Sequence, residues 1–417
     1  SAASQFQGAF CQVDFAERAD SDVGIRHAGH CSREDDLPIL DDTYNMVADW
    51  GWICNSVDLP CVSENRYFRT RLQEIMSLNL ESEPLSRVAA DRYQEMADQV
   101  LSGESITREQ AISILEAPDF DLLSILSAGF RIRHQYFGKS VQLYFLMSAK
   151  SGLCPEDCHY CSQSKISDAP VPKYNILKRD DLMEAARIAS ERGAKTYCLV
   201  ISARGPNERE INAVEQIVPE IKDKYGLDIC ACLGLLSKEQ ADRLKACGVD
   251  RVNHNLNTSE DYYADICTTH TYADRVQTLQ HVKDAGMEMC SGGIIGMGEK
   301  LEDIVSMAFD LRDLGVQSIP LNFLNAIEGT PLQTKNELTA NDCLRALAMF
   351  RFVNPDRELR ISGGREIHLR SLQPLGLYVA NSLFVGDYLT TKGQAPQEDY
   401  DMIRDLGFEV TESACDS

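Results

Sequence analysis

Eight short β-rich segments recur along the chain, and this alternation constrains the fold more than any other feature. They run VQLYFLMS (141–148), KTYCLVIS (195–202), LDICACLG (227–234), VDRVNHNL (249–256), MEMCSGGIIG (287–296), SIPLNFL (318–324), ELRISGG (358–364) and SLFVGDYL (382–389). Helical stretches lie between them, among them DDLMEAARIASERGA, SKEQADRLKACG, TYADRVQTLQHVKDAG and LEDIVSMAFDLRDLG. Several of these end in glycine just before the next strand, as a helix C-terminus leading into a buried strand should. Successive strands begin about 34 residues apart, the size of one βα unit. Such units form a parallel sheet with helices outside it, and eight of them favour a closed (β/α)8 TIM-type barrel over an open doubly wound sheet. Closure is an inference from the count, since both architectures share the same local pattern.

A barrel does not use all 417 residues. Residues 1–75 show no sustained helical or strand period and are dense in Asp, Glu and Ser, so they read as a poorly structured extension. That extension carries Cys11, Cys31, Cys54 and Cys61 with His27 and His30. Their spacings fit no closed four-ligand zinc pattern, and ordinary thiols are the simpler reading. From Met76 the chain becomes legible, and residues 76–417 form the expected barrel domain with a helical lead-in. SEPLSRVAADRYQEMADQVLSG has helical spacing, Thr107 and Gln110 make a capping box for TREQAISILEA, and Asp121 to Phe137 gives a third helix.

Composition narrows the function classes. The net charge of −23 argues against a nucleic-acid or anionic-membrane binder, because phosphates need a basic footprint. No apolar run reaches the ~18 residues of a membrane span. The start, SAASQFQGAF, has neither the basic opening nor the apolar stretch of a signal peptide, so a cytoplasmic protein is expected. Fifteen cysteines are too sparse for a disulfide scaffold and cannot all pair, which points to metal or redox chemistry.

In a barrel, functional residues collect at the C-terminal ends of strands. After the first strand comes Cys154-Pro-Glu-Asp-Cys158-His-Tyr-Cys161. Three thiols spaced CxxxCxxC on one loop suit three irons of a cubane cluster and leave the fourth iron open, whereas ferredoxin spacing seals the cluster with four. A zinc knuckle would need a fourth local ligand, for which His159 is crowded. A second set is distributed: Cys198 in strand two, Cys230 and Cys232 in strand three, Cys290 in strand five. Two residues apart, Cys230 and Cys232 face the same side. Cys247, Cys343 and Cys415 fit ordinary thiols, and Cys267 after strand four reads as incidental. Asn253, Asn255 and Asn257 alternate, so their amides should share a face and supply paired donors and acceptors to a polar, uncharged ligand. Gly292, Ile294, Gly296 and Glu299 in GGIIGMGE offer close backbone approach and an apolar face for a flat ligand. Thr390 and Thr391 carry hydroxyls and N–H groups suited to a carboxylate. No acid–base pair or Ser-His-Asp arrangement stands out.

The motifs AKSGLCPEDCHYCSQS, YCLVISARGP, CACLGLL, DRVNHNLNTS, CSGGIIGMGE, IPLNFL, EGTPL, RISGGRE and GDYLTT together resemble those of the biotin synthases, radical S-adenosylmethionine enzymes, from about Leu122 to Val410. The extension before Met76 matches nothing in that family. The resemblance implies a 4Fe-4S cluster on Cys154, Cys158 and Cys161 that binds and reductively cleaves S-adenosylmethionine. It implies sulfur insertion into dethiobiotin from an auxiliary cluster, of 2Fe-2S type in the best-known members, on Cys198, Cys230, Cys290 and Arg360. Cys232 stands where relatives have a small non-thiol residue; it is expected as a fourth ligand in place of Arg360, giving a four-iron cluster, or as a sulfur carrier. The resemblance further assigns Asn255 and Asn322, with Asn253 beside them, to the ureido ring, Asn255 and Asn257 to the ribose, and Thr390 and Thr391 to the valerate tail. It implies a homodimer served by a flavodoxin- or ferredoxin-like electron donor and by iron–sulfur assembly machinery. A sister radical enzyme of hydrogenase maturase or mutase type stays open, as does a non-catalytic iron–sulfur or zinc redox sensor.

Overall fold

The computed structural model describes residues 87–411. The extension 1–75 with its four cysteines and two histidines, the start of the first lead-in helix, and Cys415 lie outside the described residues.

Ten strands form one parallel sheet. They are β1 Ser140–Lys150, β2 Thr196–Ile201, β3 Asp228–Cys232, β4 Arg251–Asn253, β5 Glu288–Cys290, β6 Gly293–Ile295, β7 Ser318–Phe323, β8 Glu358–Ile361, β9 Ser382–Phe384 and β10 Glu409–Val410. Neighbours run β1-β2-β3-β4-β5-β7-β8-β9, and β9 pairs back with β1 (Gln142 with Ser382, Tyr144 with Phe384). The sheet is therefore a closed barrel of eight staves, with β6 continuing the fifth stave against β7 and β10 added to the start of β1. All eight expected strands exist. Helices fill the intervals, and five of them carry capping boxes built on Thr107, Asn207, Ser237, Thr271 and Thr339.

Strand residues alternate between two apolar regions, as strands covered on both faces must. Tyr197, Leu199, Ile229 and Ala231 point outward into the main core beneath the helices. Cys198, Val200, Cys230 and Cys290 point inward with Tyr144 and Phe384, and Cys232 packs against this inner cluster. Cys230 and Cys232 thus do share the inner face. The lead-in helix Leu122–Phe137 is tied to the start of the barrel by Arg133, which donates to the carbonyls of Ala380 (3.2 Å) and Ser140 (2.8 Å).

Several strands, β4, β5 and β9 among them, end earlier than their sequence suggests, and the reason is local. β4 stops at Asn253, and Asn257 takes a left-handed backbone, φ 73°, so simple alternation does not carry through Asn255 and Asn257. The fifth stave breaks between Cys290 and Gly293. β9 stops at Phe384, so Thr390 and Thr391 lie in the loop beyond it instead of ending the strand.

Candidate active site

The loop after β1 brings Cys154, Cys158 and Cys161 to one cavity of about 290 Å³ at the C-terminal mouth of the barrel. Short turns shape it: Cys161 N–H donates to the Cys158 carbonyl (3.2 Å) and Ser164 N–H to that of Cys161 (3.1 Å). Gln163 steadies its start, accepting from Ser151 Oγ (3.0 Å) and Gly152 N–H (2.9 Å). Burial pushes the Cys161 thiol up to about 11. Cys232, Asn253, Asn255, Asn257 and Ile294 line the same cavity. An adjoining cavity of about 240 Å³ shares Tyr160, Cys161, Ile294 and Asn322 and extends to Thr390 and Thr391.

Deeper in the barrel, Cys230 packs with Cys198 and Cys290, and these thiol neighbours together with burial raise its pKa. The Cys230 contact and the Arg360 charge outweigh burial at Cys290 and hold its pKa well below the usual thiol range. Arg360, 1% exposed, donates to Ser318 Oγ (2.6 Å), Glu358 Oε1 (2.7 Å) and Ser382 Oγ (3.1 Å), and its Nη1 lies 3.8 Å from Cys290 Sγ. Its guanidinium also stacks on the Tyr144 ring, 3.2 Å from the centroid. Burial alone would raise the pKa of Glu358, but Arg360 and Arg251 on either side bring it down instead. Three thiols and a guanidinium whose Nη1 is held only by the Cys290 sulfur suit a sulfide-rich anionic group, since thiolates are the ligating form and the arginines offset their charge. Cys232 stands nearer the mouth, its pKa pushed up to about 12 by burial and then by the charges of Cys198 and Cys290.

The asparagines are each held by side-chain hydrogen bonds, Asn253 and Asn255 to one another. Asn253 Nδ2 donates to Asn255 Oδ1 (3.0 Å) and approaches Cys290 Sγ (3.3 Å), while Asn255 Oδ1 also accepts from Gly292 N–H (3.1 Å). Asn257 Nδ2 donates to Tyr160 OH (2.6 Å). Asn322 bridges Gly293 O (3.1 Å) and Gly363 N–H (3.0 Å), and Thr390 Oγ1 pairs with Ser162 Oγ (3.0 Å). Packing demands a glycine at Gly292, because a Cβ there would sit 1.9 Å from the Pro320 carbonyl oxygen. Glu299 caps the same turn by accepting from Gly296 and Met297 N–H groups, both at 2.7 Å.

Several site residues escape a reading of the sequence. Asp157, inside the cysteine motif, accepts from Thr268 N–H (3.0 Å) and Thr269 N–H (3.1 Å), and these bonds outweigh burial to lower its pKa. Glu156 accepts from Thr269 Oγ1 (2.6 Å) and contacts His270 Nδ1. Arg275 donates to His270 Nε2 (2.8 Å) and to the Asn255 carbonyl (2.7 Å). Cys267, which the sequence offered as an incidental thiol, lies 3.8 Å from Cys158 and 3.3 Å from His270 Nδ1. His254 is buried against the cavity, and its Nε2 has no partner among the described residues. Burial, Arg275 and His270 hold its pKa well below the ordinary 6.5. The signal lay in plain view as HNL and CTTHTY, but more than a hundred residues separate those threonines from Asp157.

A closed parallel barrel with a three-thiol loop at its C-terminal mouth is the architecture of the radical S-adenosylmethionine enzymes. The Radical SAM superfamily pattern matches residues 150–311, and that of the Biotin and Thiamin Synthesis associated domain matches residues 320–409. The biotin synthase of Rhodopirellula baltica is 78% identical over 321 residues, covering 77% of this chain and 89% of that protein. That of Bacillus subtilis strain 168 is 55% identical over 320 residues, covering 77% and 96%. The chain belongs to the biotin synthase family. Membership in the wider class implies a 4Fe-4S cluster and S-adenosylmethionine. Methylornithine synthase (PylB) shares the fold, with TM-score 0.68 and 17% identity over 76% of this chain and 98% of its own. So does the FeFe-hydrogenase maturase HydG of Carboxydothermus hydrogenoformans, at TM-score 0.67 and 15% identity over 83% and 84%. Among the described residues no helix is long and apolar enough to cross a membrane.

Proposed function

We propose that this chain converts dethiobiotin to biotin by radical sulfur insertion, with Cys154, Cys158 and Cys161 holding the radical cluster and Cys198, Cys230, Cys290 and Arg360 an auxiliary one. The observation that carries this reading is the stacking of two thiol groups at two depths of one barrel, with an asparagine-lined cavity beside the upper group. When bound, the upper cluster and S-adenosylmethionine supply a carbon radical that abstracts hydrogen from an unactivated carbon. The residues bind, orient and exclude water around that chemistry. Asn253, Asn255 and Asn322 retain donors and acceptors for a ureido ring, and Thr390 and Thr391 sit at the far end of the adjoining cavity for a carboxylate tail. Asn255, Asn257, Gly292 and Ile294 suit the nucleoside.

The geometry favours Arg360 over Cys232 as the fourth auxiliary ligand, because its Nη1 already reaches Cys290 and Cys232 faces the cavity. Cys232 then fits a sulfur carrier at the substrate's edge. Iron and sulfide counting on anaerobically rebuilt Cys232→Ala should give an unchanged cluster; loss of iron relative to wild type would assign Cys232 as a ligand. A homodimer in the cytoplasm, a small electron-transfer protein and iron–sulfur assembly factors complete the proposal. So does a division into an extension, residues 1–75, and a catalytic domain, 76–417. The deciding assay is anaerobic turnover with dethiobiotin, S-adenosylmethionine and a reductant. Biotin with 5′-deoxyadenosine is expected; 5′-deoxyadenosine alone would favour a sister radical enzyme, and neither product would refute radical chemistry.

A further inference from the structure

Cys267 and Cys158 meet as side chains of two loops whose backbones are stitched together on both sides of the thiols. His159 N–H donates to the Ile266 carbonyl (2.9 Å), and Asp157 accepts from the N–H groups of Thr268 and Thr269. The thiol hydrogen-bonded to Cys158 is Cys267, at 3.8 Å, and not one of the other two cysteines of its own motif. Cys158 lines the open cavity, whereas Cys267 lies behind it, 2% exposed. His270 does not act as a metal ligand in this arrangement. Its Nε2 accepts from Arg275, which leaves the proton on Nδ1, facing Glu156 and Cys267.

We propose that Cys158 and Cys267 are an oxidisable pair that closes to a disulfide when the loop carries no iron, keeping Cys158 in a reducible form. This rests on the assignment of Cys158 as a cluster ligand. Hydrogen peroxide entering the cavity meets Cys158 first. Its thiol sulfur takes one oxygen, giving a sulfenic acid and releasing water. Cys267 sulfur then attacks Cys158 sulfur; the S–S bond forms, the S–O bond breaks, and the hydroxyl leaves with the Cys267 proton as a second water. The pair loses two electrons and the peroxide gains them. The sulfurs need only close from 3.8 Å to about 2.0 Å, a side-chain rotation between backbones already held in place. An external dithiol reverses the reaction by exchange. Without Cys267, a Cys158 sulfenic acid would go on to sulfinic and sulfonic acid, which no dithiol restores.

Peptide mapping by mass spectrometry tests this on the full-length chain stripped of iron, treated with one equivalent of hydrogen peroxide and alkylated. The expected product is a Cys158–Cys267 linked peptide that dithiothreitol cleaves, together with loss of iron uptake until the reductant is added. In Cys267→Ser the link is lost and Cys158 accumulates as sulfinic and sulfonic acid, while untreated variant takes up iron as wild type does. A Cys158–Cys154 or Cys158–Cys161 link in wild type would overturn the proposal, as would equal over-oxidation of Cys158 in both proteins. Should the variant misfold, the wild-type map alone decides. The ligand assignment fails separately: Cys158→Ala that still loads the radical cluster would refute it and leave the disulfide result intact.

Discussion

A guanidinium buried among thiols is costly unless its N–H groups find acceptors: Arg360 Nε and Nη2 reach Ser382, Ser318 and Glu358, and Nη1 lies 3.8 Å from Cys290 Sγ. Arg360→Met should leave Glu358 facing Arg251 alone and lower stability by about 3–5 kcal/mol, read from the urea midpoint. His254 gives the opposite case, a group kept uncharged. In the unfolded chain its imidazole takes a proton near the ordinary 6.5, whereas the folded site resists until far lower pH. Its contribution to stability is therefore complete above that value and declines below it, by up to about 1.4 kcal/mol per pH unit. The wild-type urea midpoint should fall on going from about pH 7.5 to about pH 5.5, and the fall should be smaller in His254→Gln. Equal falls would place the imidazolium in the folded protein. Cysteine positions were readable because thiols are scarce and their period set their face. The Glu156–His270 contact was not, because it joins two loops distant in sequence.

Elements were easier to find than their ends. The strands announced themselves as continuous apolar runs, since both faces are covered. Their C-terminal ends run into polar, glycine-rich segments that serve the site, and there the strand pattern outlasts the strand. Asn257 shows why: its left-handed backbone redirects the chain after β4, a conformation asparagine tolerates better than most residues and one that alternation does not reveal. Gly292 shows that a glycine beside a site can answer to packing. Gly292→Ala must push against the Pro320 carbonyl of the neighbouring stave and should cost about 1–3 kcal/mol or more. Circular dichroism melts of the cluster-free protein would measure this, and an unchanged melting temperature would show that the fifth stave yields.

At the scale of the whole molecule the barrel is held shut by β1 against β9 and by the C-terminal helix Pro396–Asp405. Asp399 on that helix meets Arg365, which follows β8, in a fully buried two-point contact of 2.8 and 3.0 Å. Removing one partner strands the other charge, so Asp399→Ala should destabilise by about 3–5 kcal/mol. Chemical denaturation should report it, and a loss under about 1 kcal/mol would mean that water reaches Arg365. Closure by the last stave also sets an order of events during synthesis. Cys154, Cys158 and Cys161 leave the ribosome within one short loop and can gather iron while most of the chain is still unmade. Cys198 and Cys230 pair across β2 and β3 as soon as those staves dock, but Arg360 on β8 faces them only when β9 meets β1 and seals the ring. With the clusters placed as proposed, the upper centre would be open to loading on a nascent chain, whereas the lower one would be complete only inside a closed barrel.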